Sequence, residues 1–404
     1  MASRPLQYLT IFLTCFIDIL GFGIVIPVLP LYAEHFGATA VQIGALVGIF
    51  SLAQFFFAPI WGKVSDRVGR KPVLLLGLMG TVAGYLLMGM AHTVLMLFVA
   101  RLIDGISGAN IGAAQAYLAD ISTPENRAKA MGLLGAAFGL GFVFGPALGG
   151  WASVTFNYAA PMFIAAGLAL ANFFFVLFFL PESRGVEAIG KRSEPLFPHL
   201  LDHVERRTYA WSVASYFLVI VGFSMMTAIF ALLLLHRFGL DALHTGYIFA
   251  GVGALGVIIQ GGLIGRLVRR FGEAALAFVG TIFMFAGLCG LALSPGVAWV
   301  FVATAAVGIG NSLLMPTLSA LASRSADANW QGRALGVMQS SGSLARWVGP
   351  MIAGLLLSAQ LHRGSGVYAL WPLLASAAFL FAAALAVSAL AGRGVGARVR
   401  EQAG

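Results

Sequence analysis

Apolar residues run in stretches of roughly 20, long enough to cross a hydrocarbon core of about 30 Å, and such stretches repeat along the whole chain. Twelve can be marked, at 7–32, 41–62, 73–92, 95–119, 130–151, 160–180, 209–235, 244–265, 274–293, 297–322, 334–358 and 367–391. Each predicts a membrane-spanning helix. The polar residues gather in the gaps, and the longest polar stretch, Glu182 to Arg207, divides the series in half. The pattern therefore predicts an all-α integral membrane protein with a six-helix bundle at 1–181, a cytosolic linker at 182–208 and a second bundle with a short tail at 209–404.

The two halves carry traces of one another. Gly62-Lys63-Val64-Ser65-Asp66-Arg67-Val68-Gly69-Arg70-Lys71-Pro72 has a weaker copy beginning at Gly265. Phe36-Gly37 matches Phe238-Gly239, Gly44 matches Gly246, and Gly145, Pro146 and Gly150 match Gly349, Pro350 and Gly354, all at nearly constant offset. Collinear matches of this kind predict a duplicated bundle, an architecture of transporters more than of membrane enzymes.

Composition agrees, with 60% hydrophobic and 10% charged residues, against about 25% charged in soluble domains. Charge then sets orientation. With both termini inside, twenty of the 24 Lys and Arg fall in cytosolic segments, Arg237 and Arg363 fall outside, and Arg101 and Arg346 lie within spans. Cytosolic loops carry the basic excess, so both termini are expected in the cytoplasm, and the net charge of +9 calls for lipid headgroups rather than nucleic acid. Met1 to Gln7 shows no cleavable signal pattern. Cys15 and Cys289 lie in different halves without metal-ligand spacing. No phosphate loop, nucleotide fingerprint, catalytic triad order or metal cluster is evident; the expectation is no enzyme activity, no cofactor and no metal.

Ionisable residues inside a membrane are costly, so each is a candidate for function. Asp18 lies midway along the first span, and Thr14, Cys15, Gly21 and Phe22 occupy the positions one turn away, so no cation on its own helix can neutralise it. It is the leading candidate to bind and release a proton, the alternative being a structural acid bonded to a neighbouring helix. Asp104, with Arg101 one turn away on the same face, is the reserve candidate, the alternative being a structural ion pair. Asn110, Gln115, Gln260, Asn311, Gln339 and Arg346 could line a substrate cavity, with Phe223 among the aromatic candidates. Few charges and many aromatics suit a small lipophilic cargo.

In the hairpin, Gly62 and Gly69 are expected to permit a tight turn. Asp66, with Arg67 and Arg70, is expected to act as a cytoplasmic latch by capping a helix of the other half or pairing with Arg127. Gly141, Gly145, Pro146 and Gly149 predict a closely packed, bendable fifth span.

These segments resemble the major facilitator superfamily. Gly62 to Pro72 is similar to its hairpin signature G-x-L-(A/S)-D-(R/K)-x-G-R-(R/K), Arg101 with Gly105 and Gly108 resembles its fourth-helix motif, and Gly141 to Gly150 resembles the antiporter motif G-x-x-x-G-P-x-x-G-G. Within the drug and proton antiporters the first 185 residues resemble the tetracycline efflux branch, on Asp18, Gly21, Gly23, Pro27, Val28, Leu29 and Pro30, and the likeness thins after the linker. The resemblance implies twelve helices in the bacterial inner membrane, a coupling role for Asp18, a latch role for Asp66, a cavity role for Gln260, and proton-driven efflux of a small organic compound by a protein functional as a monomer. The alternative is a symporter or uniporter for a sugar or other metabolite. That branch's acid in helix three is here Gly84, its helix-eight histidine Gly256 and its helix-nine acid Met284, replacements that argue against a tetracycline–metal chelate as cargo.

Overall fold

The computed structural model describes residues 4–108, 110–122, 126–183, 200–327, 330–364 and 367–403. Helices dominate, and twelve of them among the described residues are long and apolar enough to span a membrane. The helices are α1 (Arg4–Val25), α2 (Leu29–His35), α3 (Ala40–Val68), α4 (Arg70–Gly89), α5 (Val94–Ser107), α6 (Asn110–Ile121), α7 (Arg127–Thr155) and α8 (Ala160–Phe179). After the division of the chain follow α9 (Arg206–Phe238), α10 (Ala242–Ile258), α11 (Ile264–Phe271), α12 (Glu273–Ala292), α13 (Val297–Arg324), α14 (Gln331–His362) and α15 (Leu370–Ala403).

Three of the expected spans are interrupted. The run 7–32 ends its first helix at Val25, and α2 restarts at Leu29 with Pro30 in its first turn. Pro27, lying between, has no N–H to continue the ladder. The run 95–119 divides at Gly108. Two carbonyls freed near that break are met from α3, where Gln54 Nε2 donates to Gly108 O at 3.0 Å and Trp61 Nε1 donates to Ile106 O at 2.6 Å. Unsatisfied backbone groups are expensive in lipid, and this is how a break inside a span is tolerated. The run 244–265 passes through a π-helical segment at Ile259–Leu263, which contains Gln260, Gly261 and Gly262.

The chain forms two compact units. One comprises Met1–Glu194 with Phe230–Gly253, the other Pro195–Ile229 with Ala254–Gly404. In the first, α1 packs on α7 and α8, α4 on α5 and α8, and α3 on α5. Its core includes Ile11, Leu74, Leu78, Ala114, Tyr117 and Val176, all fully buried. In the second, α12 packs on α13 and α15, and α14 on α13 and α15. Large apolar side chains such as Leu95, Phe178 and Leu293 are exposed, as expected of residues that face lipid rather than water.

The sequence repeat reappears as backbone geometry. Gly37 and Gly239 have φ of 76° and 68°, and Gly69 and Gly272 have φ of 100° and 80°. A residue with a Cβ rarely adopts that region, so the duplicated turns fix glycine at both members of each pair. The paired small residues also make matching seams. A Cβ on Gly145 would lie 2.7 Å from Leu20 O, and one on Gly349 would lie 2.6 Å from Val221 O. In each unit, then, the repeated glycine lets two helix backbones touch. The expected linker at 182–208 is partly structured where it is described. Glu205 N donates to Ser325 O at 2.7 Å and His203 Nδ1 lies 2.9 Å from Asp327 Oδ2, which tie its end to the second unit.

Candidate functional site

Asp18 is half-buried on α1 and accepts a hydrogen bond from Asn110 Nδ2 at 2.9 Å. That amide is its one partner among the described residues. Asn110 opens α6 directly after the break at Gly108, so the interruption of the span is what aims it at α1. Its own Oδ1 is buried without a hydrogen-bond partner. Close by, Arg101 and Asp104 on α5 are each 3% exposed and pair at 3.3 Å. Arg101 also lies over the Phe50 ring, 4.5 Å from its centroid, and the Thr81 side chain bonds to Asp104. Buried Tyr85 stands within electrostatic reach of Asp18, Asp104 and Arg101.

The first unit therefore gathers four sequence candidates, Asp18, Arg101, Asp104 and Asn110, and distinguishes between the two acids. Asp104 has a cation attached, whereas Asp18 has only a neutral amide. Thr81, Tyr85, Gln54 and Trp61 were not among the candidates. Tyr85, directly after Gly84, offered one signal, a polar ring within a span. Gly84 now has a physical reason, because a Cβ there would meet Asp104 Cβ at 2.9 Å and Ala100 O at 3.1 Å. No larger residue fits against α5. Met284 is fully buried on α12.

The hairpin at Gly62 to Pro72 is organised differently from the expectation. Gly62 lies inside α3 with open space around it, and the turn is made by Gly69 alone. Asp66 pairs with Arg70 on the following helix at 2.9 Å. Arg70 is the hub, since it is 7% exposed and also reaches Asp120 Oδ2 at 3.0 Å and Ser65 Oγ at 3.0 Å. The carboxylate that caps α4 is Glu182, which accepts from Arg70 N at 2.9 Å and Lys71 N at 3.0 Å. The reason is local: Glu182 directly follows Pro181, whose carbonyl is held by Tyr117 Oη at 2.9 Å, so the acid is delivered to the start of α4. Arg67 is exposed. The side chain of Arg127 lies outside the described residues.

The α7 seam is as close as its glycines allow. A Cβ on Gly141 would stand 2.7 Å from Ile19 Cγ2, one on Gly149 would strike Ile24 O, and Pro146 Cδ would lie 3.0 Å from a Cβ on Gly23. Gly246, in the part of α10 that belongs to this unit, faces Pro146 O in the same manner.

The second unit holds another group. Gln339 is exposed on α14 and accepts from Tyr216 Oη at 3.2 Å. Arg346 is half-buried and donates to Ser343 Oγ at 3.1 Å. Phe223 and Asn311 are half-buried and Gln260 is exposed within the π segment. Neither Asn311 nor Gln260 is hydrogen-bonded to the α14 group among the described residues. Gln115 is exposed on α6.

A family model described as the Major Facilitator Superfamily matches residues 11–350 and, again, 263–396. The chain belongs to the major facilitator superfamily. It is thus an integral membrane transporter of small molecules, not an enzyme, with twelve helices in two six-helix bundles. Similar curated proteins include the class B tetracycline resistance protein of Escherichia coli, 30% identical over 356 residues and covering 85% of this chain and 87% of the relative. Multidrug resistance protein 2 of Bacillus subtilis (strain 168) is 31% identical over 363 residues, covering 86% of this chain and 88% of the relative. Among solved structures, the nucleoside transporter NupG superposes with a TM-score of 0.76 at 14% identity, over 95% of this chain and 98% of that one.

Proposed function

We propose that the protein exports a small lipophilic organic compound in exchange for protons, by alternating access, in the bacterial inner membrane with both termini in the cytoplasm. The observation that carries the reading is the environment of Asp18. An intramembrane carboxylate bonded to an amide and to no cation can lose its charge without breaking an ion pair, whereas Asp104 cannot. Protonation of Asp18 removes a charge that lipid disfavours and permits the return step; cargo binding then favours release of the proton. Asn110 orients the carboxylate in both states. The bundles at 1–181 and 209–404 are the moving parts, the segment 182–208 joins them, and one copy of the chain suffices. Glycine contacts along α7 and the Asp66–Arg70–Asp120 cluster hold one of the alternating states.

The relatives' names, tetracycline resistance and multidrug resistance, support a drug-like cargo. Coupling is tested in proteoliposomes loaded with a lipophilic dye under imposed pH gradients. Dye moving against the proton flow supports antiport. Movement with the protons, or indifferent to them, would establish the symporter or uniporter alternative.

A further inference from the structure

Two arginines lie within membrane spans, and their surroundings differ. Arg101 is neutralised in place by Asp104 and sits over Phe50. Arg346 has one partner among the described residues, the Ser343 hydroxyl at 3.1 Å. It stands fifteen residues into the 32-residue α14, about 22 Å along the helix axis, well inside the span. A guanidinium is a cation with five N–H donors and no acceptor, so a full complement of partners here would include an anion. Its own unit offers none there among the described residues. The acids of that unit with described side chains, Asp202, Glu205, Glu273 and Asp327, all lie at helix starts or in loops, and three are held by Arg206, Arg324 and His203.

The flanking groups are polar and fixed. Gln339, Ser343 and Arg346 fall at spacings of four and three, one face of α14. Gln339 is exposed yet held by Tyr216, and an exposed amide in a span belongs on a wet surface rather than against lipid. Close contacts at two glycines bracket the group, one with a side chain and one with backbone. A Cβ on Gly342 would lie 2.7 Å from Tyr216 Cε1, and one on Gly349 would lie 2.6 Å from Val221 O. The arginine is therefore presented from a helix packed closely on its neighbour, with Nη2 its one hydrogen-bonded nitrogen among the described residues.

We propose that Arg346, with Ser343 and the Tyr216–Gln339 pair beside it, binds an anionic group on the cargo, a carboxylate or its equivalent, and so selects lipophilic organic acids over their neutral isosteres. This deepens the reading of the chain as an exporter of lipophilic compounds and rests on it. Purified full-length protein in detergent is titrated with naphthylacetate and naphthylacetamide, and with decanoate and decanamide, by thermal shift and equilibrium binding. The wild type is expected to bind at least one acid tenfold or more tightly than its amide. Arg346→Gln should abolish that preference and Arg346→Lys should keep part of it, because a charge remains but the planar fork is lost. Equal affinity for acid and amide in the wild type, or a preference that survives in Arg346→Gln, overturns the proposal. Should Arg346→Gln not fold, the wild-type acid and amide comparison with Arg346→Lys decides. Proton-driven dye export, measured in parallel, reports separately on the exporter reading: its absence would sink that reading, while a missing acid preference beside intact dye export sinks only this one.

Discussion

Replacing Gly145 by alanine adds one methyl group to the seam where α1 and α7 touch. That methyl would lie 2.7 Å from Leu20 O and 2.9 Å from Gly23 Cα, both backbone atoms. An ordinary contact needs about 3.4 Å, so the two helices would have to part by roughly 0.7 Å along a tightly packed line. Overpacking of this kind costs about 1–3 kcal/mol. Alanine's better helix propensity returns about 0.5–1 kcal/mol, which leaves a net loss of about 0–2.5 kcal/mol. The natural control is Gly167→Ala on α8, where a new Cβ would meet nothing within 4 Å, so only the propensity gain applies. The two variants should differ by about 1–3 kcal/mol in an unfolding titration with sodium dodecyl sulfate in mixed micelles. If Gly145→Ala unfolds together with Gly167→Ala, the glycines of α7 do not hold the seam and the close-packing argument fails.

Asn110→Leu removes the only hydrogen bond to Asp18 among the described residues. It should slow proton-linked exchange about tenfold, a barrier of roughly 1.4 kcal/mol, and add no further loss on top of Asp18→Asn; strict additivity of the two losses would place Asn110 outside the coupling step. Glu182→Ala strips the acceptor from two backbone N–H groups at the start of α4 and should lower stability by about 0.5–2 kcal/mol, the usual cost of a lost cap. Glu182→Gln retains an acceptor and should lose less; an unfolding midpoint unchanged in both would mean that water replaces the cap.

Much of this fold could be read from the chain because lipid leaves few alternatives. Twelve apolar runs of spanning length admit little but helices, and paired glycines at near-constant offset disclosed the duplication that later emerged as matched positive-φ turns at Gly37 and Gly239 and at Gly69 and Gly272. What escaped was where the spans break. Apolar periodicity continues through Gly108 and through Ile259–Leu263, and nothing local states that Gln54 and Trp61, 54 and 45 residues before their partners, will donate to the carbonyls of Gly108 and Ile106 left free at the first of these. The intramembrane charges were legible as rare residues, but not their partners. Asp104 beside Arg101 follows from helical spacing, whereas Asn110 beside Asp18 depends on contact between elements 92 positions apart. The same limit explains the hairpin. Asp66 was visible as a lone acid among bases, yet Arg70 is the hub and Glu182 the cap, because Asp120 and Glu182 arrive from helix ends 50 and 112 residues further on.

The account depends most on Asp18 giving up and regaining its charge during transport. The direct measurement compares wild type and Asp18→Asn in proteoliposomes, once under an imposed pH gradient and once as cargo-for-cargo exchange with no gradient. The variant is expected to keep exchange while its flux no longer responds to the gradient. Flux in Asp18→Asn that follows the proton gradient as steeply as in the wild type would contradict the account.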